Sequence, residues 1–442
     1  MIREYFSVKN KYYLNGFDWV MGVMDLLMKN TTCAGNASQI ALMLDTPPDE
    51  DRVRDGLRRF LRLYPLVHGS VSRHYTLTPY WKLPKSGAEH PLPLTVTRIE
   101  DGSPDASVLG VLGRHINTPF PDKHSHLRFH LVYGKGEQCI ALTFDHRLFD
   151  ARGAESFMAL FQRHLAGGDD EQFFRDVKLT QGFDLSGWKQ KFLAGQTVNR
   201  RVIALTKDRV RAVPLMVNGQ KAGFRYRIIS FDREEAARIV DRAYAEAGYL
   251  MIMPYLFARV AVSMHRIFER RGGMQGAYVV PVSTDLRRAK DIREELFFNR
   301  NSMFFFQVKA EDAGDPKRTI ASLREQMYQQ VQVKFPEKLM AASSLTRIFP
   351  LPFMHAVFHL PLQGKIASYC FSHVSKDSFP SLDFAGTRIT NLFHMPRTPV
   401  PPGIGVFFNS FHGRLNATIS CLENVFTEEE IGALESYLRG TL

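Results

Sequence analysis

The sequence predicts an α/β protein with two lobes, each containing a mixed β-sheet. A chain of 442 residues exceeds the size at which a single hydrophobic core keeps growing, so two domains of about 200 residues are expected. Segments with strand and helix periodicity alternate in both halves, as is typical of α/β folds. Periodicity weakens over residues 170–221. We therefore divide the chain into an N-terminal lobe (1–175), a linker or crossover (176–221) and a C-terminal lobe (222–442).

The first half contains one predicted hairpin between two predicted helices. Apolar residues recur at helical spacing from Val53 to Tyr64, and this helix must end before Pro65. Residues 126–133 alternate between polar and apolar side chains, and a glycine turn leads them into the apolar run 139–144. Helical spacing returns over 154–165. The loop before this second helix therefore joins a strand to a helix.

The second half repeats this alternation. A strand over 224–231 is followed by Asp232 and Glu235, whose spacing is typical of a capping box at the start of a helix. A long helix over 250–270 is apolar on most faces and is expected to be buried. Thr427 and Glu430 form a second capping box before the last helix. Further strands are predicted over 277–282, 303–308, 406–411 and 415–421, the last two as a hairpin.

The net charge of +12 favours an anionic partner, such as a phosphorylated cofactor, an acidic carrier protein, nucleic acid or an anionic membrane surface. The basic residues are scattered and form no known nucleic-acid-binding motif, so nucleic acid is not expected as a partner. The most apolar stretch, 249–268, is interrupted by Pro254, Arg259 and His265. We therefore expect a cytoplasmic protein with no membrane span.

Cysteines and histidines give no sign of a metal site. Cys33, Cys139, Cys370 and Cys421 are far apart in the sequence and are expected to be reduced structural thiols. His124, His126 and His130 share one side of a predicted strand, but no carboxylate or cysteine joins them at ligand spacing. The chain also has no Gly-x-Ser-x-Gly elbow and no Walker-type loop, which argues against hydrolases and nucleotidases.

The most informative segment is Thr143 to Met158, TFDHRLFDARGAESFM. It places His146 at the end of a predicted strand and Asp150 where a helix begins, so both can face one cavity. A neutral imidazole takes up a proton near neutral pH, which suits a general base. Two structural alternatives stay open, because His146 can be a structural histidine and Asp150 a helix N-cap. Ser283 and Thr284 can be site hydroxyls, but turn residues after a strand are the commoner interpretation of such a pair.

The segment DHRLFDA resembles the His-His-x-x-x-Asp-Gly signature of the superfamily of chloramphenicol acetyltransferase, dihydrolipoamide acyltransferases and nonribosomal-peptide condensation domains. Asp145 stands at the first histidine, as in the DHR-x-x-D form of the dihydrolipoamide acyltransferases, and Ala151 replaces the glycine. VVPVSTDLRR and FFNRNSMFFF resemble segments of wax-ester and diacylglycerol acyltransferases, and CFSHVS resembles Ser-Asn-x-Gly. An early helix over 44–71 and the closing hairpin in 401–420 extend the resemblance over most of the chain.

This resemblance implies two similar lobes with a channel between them, which the donor thioester and the acceptor enter from opposite sides. It makes His146 the general base and gives Asp150 the task of holding the loop by pairing with an arginine, for which Arg287 is the candidate. Ser372 falls where these enzymes place a hydroxyl near the oxyanion. No metal ion or redox cofactor is required, since acyl-CoA or acyl-phosphopantetheine is the co-substrate.

We accordingly expect an acyltransferase that moves an acyl group from a CoA or phosphopantetheine thioester to a small-molecule alcohol or amine. The phenylalanines at 304–306 hint at an apolar acyl chain. One alternative is a condensation domain that forms an amide or ester and depends on an acyl or peptidyl carrier protein. The other is a non-catalytic binding or scaffold protein that retains the fold, since Ala151, His373 and Ser375 depart from the family pattern.

Overall fold

The computed structural model describes residues 11–442 except 76, 86, 101–106, 169–186, 206, 208–220, 273–275, 288–295, 360–366, 375–378 and 424. The N-terminal part comprises β1 (Lys11–Tyr13), α1 (Gly16–Thr31), β2 (Ala37–Leu44), α2 (Glu50–Arg62), a 3-10 turn (Pro65–His68), β3 (Ser70–Arg73), β4 (Pro79–Lys82), β5 (Leu94–Arg98), α3 (Val108–Ile116), β6 (Leu127–Tyr133), β7 (Gln138–Asp145) and α4 (Ala151–Leu165).

The rest of the described chain forms eight helices and eight strands. These are α5 (Trp188–Leu205), β8 (Phe224–Phe231), α6 (Arg233–Ala247), α7 (Ile252–Arg270), β9 (Ala277–Asp285), β10 (Asn301–Lys309), α8 (Ala310–Ala313), α9 (Pro316–Gln332), α10 (Phe335–Thr346), α11 (Leu351–His359), β11 (Cys370–Val374), β12 (Asp383–Phe384), β13 (Thr387–Pro396), β14 (Ile404–Phe411), β15 (Arg414–Leu422) and α12 (Glu428–Thr441). Helix α5 lies within the range predicted to be a linker, and much of that range falls outside the described residues.

Two six-stranded sheets form the framework of the molecule. The first has the order β12-β13-β2-β7-β6-β5, and the second has the order β10-β9-β11-β14-β15-β8. Strand β5 runs parallel to β6 in the first sheet, and β11 runs parallel to both β9 and β14 in the second. The other pairings are antiparallel, so each sheet is mixed, as predicted.

The two halves of the chain are interleaved at the first sheet. Strand β13 comes from the C-terminal half but pairs with β2, placing Phe393 opposite Ala41. Residues 383–396 thus add two strands to a sheet whose other four strands lie before residue 146. This return of the chain ties the lobes together, and no local sequence pattern indicated it.

Local patterns account well for the elements that were predicted. The β6–β7 and β14–β15 hairpins have the expected registers, with Leu131 opposite Ile140 and Phe411 opposite Arg414. Both predicted capping boxes are present, at Asp232 and at Thr427. Helices α1, α3, α5 and α8 to α11 were not predicted. Helix α1 begins at a capping box of Asn15 and Asp18, but it is buried on most sides and lacks a clear polar face.

The long apolar helix α7 is buried, as expected, with side chains such as Tyr255, Leu256 and Phe257 inaccessible to solvent. It packs in the core of the second lobe together with β9, β11 and β14. Over the described residues, no single helix has the length and apolar character needed to cross a membrane. Helices α6 and α7 have this length and apolar character only when they are taken together, and this pair is bent by 93°. All four cysteines are free thiols, of which Cys139 and Cys421 are buried and Cys33 is exposed.

Candidate active site

A cavity of about 1070 Å³ lies between the two sheets. The first lobe contributes residues of α1 and β7, including Phe17, Met24 and Phe144, while the second contributes β9, β10 and β11. Phe304 and Phe305 from the predicted apolar segment lie on its wall. Most of the lining side chains are apolar, as is usual for a small-molecule site.

His146 lies on the wall of this cavity, one residue beyond the end of β7. Its backbone is held on both sides, since its N–H donates to the carbonyl of Asn36 at 3.2 Å and its carbonyl accepts from Asn299 Nδ2 at 2.8 Å. The ring is half-buried, and Nδ1 is inaccessible with no hydrogen-bond partner among the described residues. The backbone of the loop is therefore held on both sides of His146, and Nδ1 is the ring nitrogen that is buried.

Asp150 is buried at the N-cap of α4 and accepts three hydrogen bonds. Oδ1 accepts from Gly153 N at 2.8 Å and from Arg287 Nη2 at 2.6 Å, and Oδ2 accepts from Arg300 N at 2.9 Å. Burial opposes the charge of this carboxylate, but Arg287 and the backbone donors outweigh it and hold its pKa below the usual value. Asp150 thus stays ionised, and its oxygens are occupied by structural donors.

Arg287 extends this network into the second lobe. Its Nη1 pairs with Asp285 Oδ1 at 3.1 Å, and Asp285 in turn pairs with Arg152 in the first turn of α4. Burial disfavours the guanidinium charge, yet the two carboxylates more than compensate and raise the pKa of Arg287. The start of α4 is therefore fastened to the end of β9, which places the His146 loop against the other lobe.

The glycine expected after Asp150 is replaced by Ala151, which begins α4 and lines the cavity. The close backbone approach lies two residues later, at Gly153. A Cβ atom there would lie 2.6 Å from the carbonyl oxygen of Leu296. A backbone atom cannot easily move away from so short a contact. Gly153 therefore allows the 296–300 segment to lie against α4 and to deliver the Arg300 N–H to Asp150.

Ser372 lies on β11 at the cavity wall, and its hydroxyl is 2.9 Å from that of Ser283 on β9. The interpretation of Ser283 and Thr284 as turn residues was wrong, because β9 continues to Asp285 and pairs there with Asn301 of β10. This continuation brings Ser283 beside Ser372. The two hydroxyls form a polar spot on a mostly apolar wall, and one of them can donate outward while it accepts from the other.

His373, next to Ser372, also lines the cavity. Both of its ring nitrogens are buried without a hydrogen-bond partner among the described residues, and burial lowers its pKa to about 4. His373 is therefore neutral at physiological pH. Ser375, the other departure in this segment, lies outside the described residues.

Sequence reasoning missed two residues that hold the His146 loop, Asp18 and Asn299. Asp18 Oδ1 accepts from Asn299 N at 2.8 Å and from Asn299 Nδ2 at 2.9 Å, and the same Nδ2 bonds the His146 carbonyl. Burial outweighs these donors and raises the pKa of Asp18 to about 7. The Asn15 and Asp18 capping pattern could have located the helix. Asn299, 281 residues away, lies in the FFNRNSMFFF segment, whose resemblance to acyltransferases marked the segment but not this contact.

Three further histidines, His394, His126 and His130, have hydrogen-bond partners. His394 lines the cavity, but its Nε2 is 2.7 Å from Glu155 Oε1. His126 contacts Asp145 Oδ2 at 3.2 Å and the carbonyl of Gly69 at 2.9 Å, and His130 contacts the Thr143 hydroxyl at 2.9 Å. Within the described parts of the chain, no three His, Cys, Asp or Glu side chains are grouped so that they could hold a metal ion.

No protein-family model matches the chain, and no curated protein matches it by sequence. Solved structures match over nearly its whole length. A trichothecene 15-O-acetyltransferase from Fusarium sporotrichioides aligns with a TM-score of 0.69 at 14% identity, covering 97% of this chain and 94% of that one. The first condensation domain of the calcium-dependent antibiotic synthetase, with a substrate analogue bound, aligns with a TM-score of 0.65 at 16% identity, covering 98% and 96%.

The chain has the fold of the condensation domains. The epimerization domain from the third module of tyrocidine synthetase B shows the same similarity, with a TM-score of 0.62 at 12% identity over 98% of this chain and 96% of that one. The predicted fold class is thus confirmed, with two sheets of six strands flanked by helices and a cavity between them. At these identities the similarity establishes the fold, and the chemistry must be argued from the site.

Proposed function

We propose that the protein is an acyltransferase that moves an acyl group from a CoA or phosphopantetheine thioester to a hydroxyl or amine acceptor, with His146 as the general base. The observation that carries this proposal is the position of His146 on the wall of the cavity between the lobes. Asp150 supports the loop through Arg287 and does not exchange protons, since its oxygens already accept three hydrogen bonds.

The transfer step balances without a further reactant. The acceptor oxygen or nitrogen attacks the thioester carbonyl carbon while His146 Nε2 takes its proton. The resulting tetrahedral intermediate expels the thiolate as the C–S bond breaks, and the thiolate takes the proton from the imidazolium. The products are an ester or amide and a free thiol, and His146 is neutral again.

The hydroxyl pair of Ser372 and Ser283 is suited to the negative charge that develops on the carbonyl oxygen. One hydroxyl donates to this oxygen, and its neighbour, 2.9 Å away, orients it. Both residues line the cavity that His146 also lines. The apolar remainder of the wall, including Phe304 and Phe305, fits an apolar acyl or acceptor group.

Carrier-dependent condensation is the second candidate, because condensation domains are among the structural neighbours. It uses the same base and the same bond changes, but both substrates are tethered to carrier proteins. The two candidates differ in one requirement. A transferase acting on free acyl-CoA releases thiol without a carrier protein, whereas condensation needs one.

The test is to incubate the purified protein with acyl-CoA donors of graded length and a set of alcohols and amines, and to follow thiol release. His146→Ala should lower the rate by about 10²- to 10⁴-fold. His124→Ala is the matched control, because this half-buried histidine lies outside the cavity lining. Release that requires carrier-bound donors would favour condensation. Equal rates for the His146→Ala and parent proteins would overturn the catalytic proposal and leave a binding or scaffold role.

A further inference from the structure

Helix α5 lies on the surface of the molecule with most of its side chains in contact with solvent. Of its 18 residues, Ala194 and Leu205 are the buried ones. One side of the helix, including Val198 and Val202, lines the large cavity between the lobes. The helix therefore covers part of the cavity with this side and leaves its outer side exposed.

The outer side of α5 carries large apolar side chains. Trp188, Phe192 and Ile203 are each more than half exposed, and we call these three residues the α5 stripe. With about 100° of rotation per residue, their side chains fall within one sector of the helix about 60° wide. The outward face of a surface helix is normally polar, so an apolar stripe on this face marks an interaction surface.

The α5 stripe adjoins an opening of the cavity. Phe192 belongs to the stripe and also lines the cavity, and Leu250 and Val357 are likewise both exposed and part of the cavity wall. A side chain that is exposed and lines the cavity lies where the cavity meets solvent. The apolar surface of the stripe is thus continuous, through Phe192, with the mostly apolar wall of the cavity.

All the charged side chains of α5 are positive. The helix contains two lysines and two arginines and no aspartate or glutamate. Lys189 and Arg200 are exposed, and each lies three residues before a member of the stripe, Phe192 and Ile203, on the neighbouring part of the helix surface. Helices that combine exposed tryptophan and phenylalanine with lysine and arginine bind anionic bilayers, because the apolar side chains enter the interface while the cations meet lipid phosphates.

Helix α10 extends the positive region beyond α5. Arg200 lines a cleft together with Lys334 and Lys338 of α10, and Glu337 is the acidic residue on the wall of this cleft. The α5 stripe thus lies between an apolar opening of the cavity and a cleft with an excess of cations. The net charge of +12 has the same sign as this surface.

We propose that the protein docks on an anionic phospholipid bilayer through the α5 stripe, which inserts among the lipids while the surrounding cations contact their phosphates. Docking places an opening of the cavity at the bilayer surface, so that an apolar acyl acceptor enters the cavity from the lipid phase. The supply of acceptor rests on the proposed function, whereas docking itself does not. A bilayer fits this surface better than a protein partner, because it dissolves the apolar molecules that suit the cavity wall.

Tryptophan fluorescence measures docking directly. The chain has three tryptophans, of which Trp188 is 66% exposed while Trp19 and Trp81 are 5% and 0% exposed. Vesicles of phosphatidylcholine and phosphatidylglycerol in equal parts should therefore shift the emission to shorter wavelengths, and Trp188→Phe should remove this shift. Vesicles of phosphatidylcholine alone should leave the emission nearly unchanged. An unchanged spectrum with the anionic vesicles, or an equal shift with both kinds of vesicle, would overturn the inference.

Cosedimentation with the anionic vesicles tests the residues of α5. Arg200→Glu/Ile203→Glu should weaken binding at least about tenfold, since carboxylates replace a cation and an apolar side chain at the lipid surface. Leu382→Glu/Arg388→Glu is the matched control, because it also replaces one exposed aliphatic side chain and one exposed arginine, beside the edge strand β12 of the first sheet. The net charge falls equally in both variants. Equal losses of binding would show that net charge and not the α5 stripe drives the association, and would refute docking through α5.

Activity measurements separate docking from the proposed function. With a long-chain alcohol dissolved in the vesicles as acceptor, Arg200→Glu/Ile203→Glu should lower the rate of thiol release at least about tenfold. With a short, water-soluble alcohol its rate should equal that of the parent protein, and equal rates with both acceptors would contradict delivery from the bilayer. His146→Ala should bind the vesicles like the parent protein.

Two further outcomes distinguish the remaining explanations. If no donor releases thiol with any acceptor, the proposed function fails, while the fluorescence and cosedimentation experiments still decide whether the protein docks. A shift of the Trp188 emission that grows with protein concentration in the absence of vesicles would identify a second copy of this chain as the molecule that covers the α5 stripe. That result would refute docking on a bilayer.

Discussion

The two lobes contain the same local unit, a central hairpin followed by a capped helix. In the first lobe it is β6–β7–α4, and in the second it is β14–β15–α12. Each unit joins its last strand to its helix through five residues, 146–150 and 423–427. His146 and Glu423 are therefore equivalent as first residues of the connection, and Asp150 and Thr427 are equivalent as N-caps.

The environments of these equivalent residues differ. Thr427 is exposed and capped locally by Glu430, and Glu423 accepts from Gly223 N at 3.0 Å. Asp150 is buried and is bound by Arg287 and by Arg300 N, both from the other half of the chain. The same local sequence pattern thus gives a connection with only structural contacts in the second lobe. In the other lobe, contacts from across the molecule place a histidine on the cavity.

The largest effect is expected at His146. His146→Ala should lower the rate of thiol release by about 10²- to 10⁴-fold, because no base then takes the proton from the attacking hydroxyl or amine. The midpoint of thermal unfolding should change little, because the loop is held through backbone atoms. Glu423→Ala, at the equivalent position, should leave the rate unchanged. A similar fall in rate for both variants would show that the two connections do not differ in function.

Asp150→Ala should cause the largest loss of stability. It removes a helix cap and leaves the half-buried Arg287 without its buried carboxylate partner, a loss that typically costs about 3–5 kcal/mol. Urea unfolding at neutral pH checks this value. The pKa of Asp150 is lower in the folded protein, so its contribution is full above the unfolded pKa and disappears as the pH falls through the folded one. A loss below about 1 kcal/mol would contradict the role of the Arg287 contact.

Ser372→Ala should lower kcat by about 10²-fold if its hydroxyl stabilises the oxyanion. Ser283→Ala should have a smaller effect, because Ser283 acts by orienting the Ser372 hydroxyl 2.9 Å away. Steady-state kinetics with one donor and saturating acceptor separate kcat from KM. An unchanged kcat for Ser372→Ala would remove this residue from the chemistry and leave its neighbour Ser283 to be tested alone.

Asp18 makes the first connection sensitive to pH. Burial raises its pKa from 3.8 to about 7, so the folded state binds more protons than the unfolded state between these values. Stability should therefore fall as the pH rises from about 4 to about 7 and should level off above that range. Asp18→Asn should flatten this dependence. Unfolding free energies at a series of pH values test this, and an unchanged slope in the variant would refute the assignment.

The smallest effect is expected in the second unit. Thr427→Ala removes a local cap on an exposed helix start and should cost about 1 kcal/mol of stability. The rate of thiol release should not change. Chemical unfolding and the thiol assay on the same preparation give both quantities. A marked loss of activity would show that the second connection also communicates with the cavity.

The sequence by itself determined the local elements of this protein. Period-two and helical spacing located both hairpins and α7, and the capping boxes at Asp232 and Thr427 marked helix starts, because these signals act between residues a few positions apart. The resemblance of DHRLFDA to a known signature singled out His146 and Asp150, because both residues belong to one short motif. The net positive charge was also evident from the sequence, but the place where cationic side chains gather in the fold was not.

Only the tertiary structure decided which distant residues meet. Strand β13 completes the first sheet, and Asn299 joins Asp18 to the His146 carbonyl. Lys334 and Arg200 come to line one cleft. These contacts join residues that are tens to hundreds of positions apart, and packing of the buried surfaces selects them among many alternatives. A local sequence pattern cannot predict which of these contacts form, because their free energy depends on the whole assembled core.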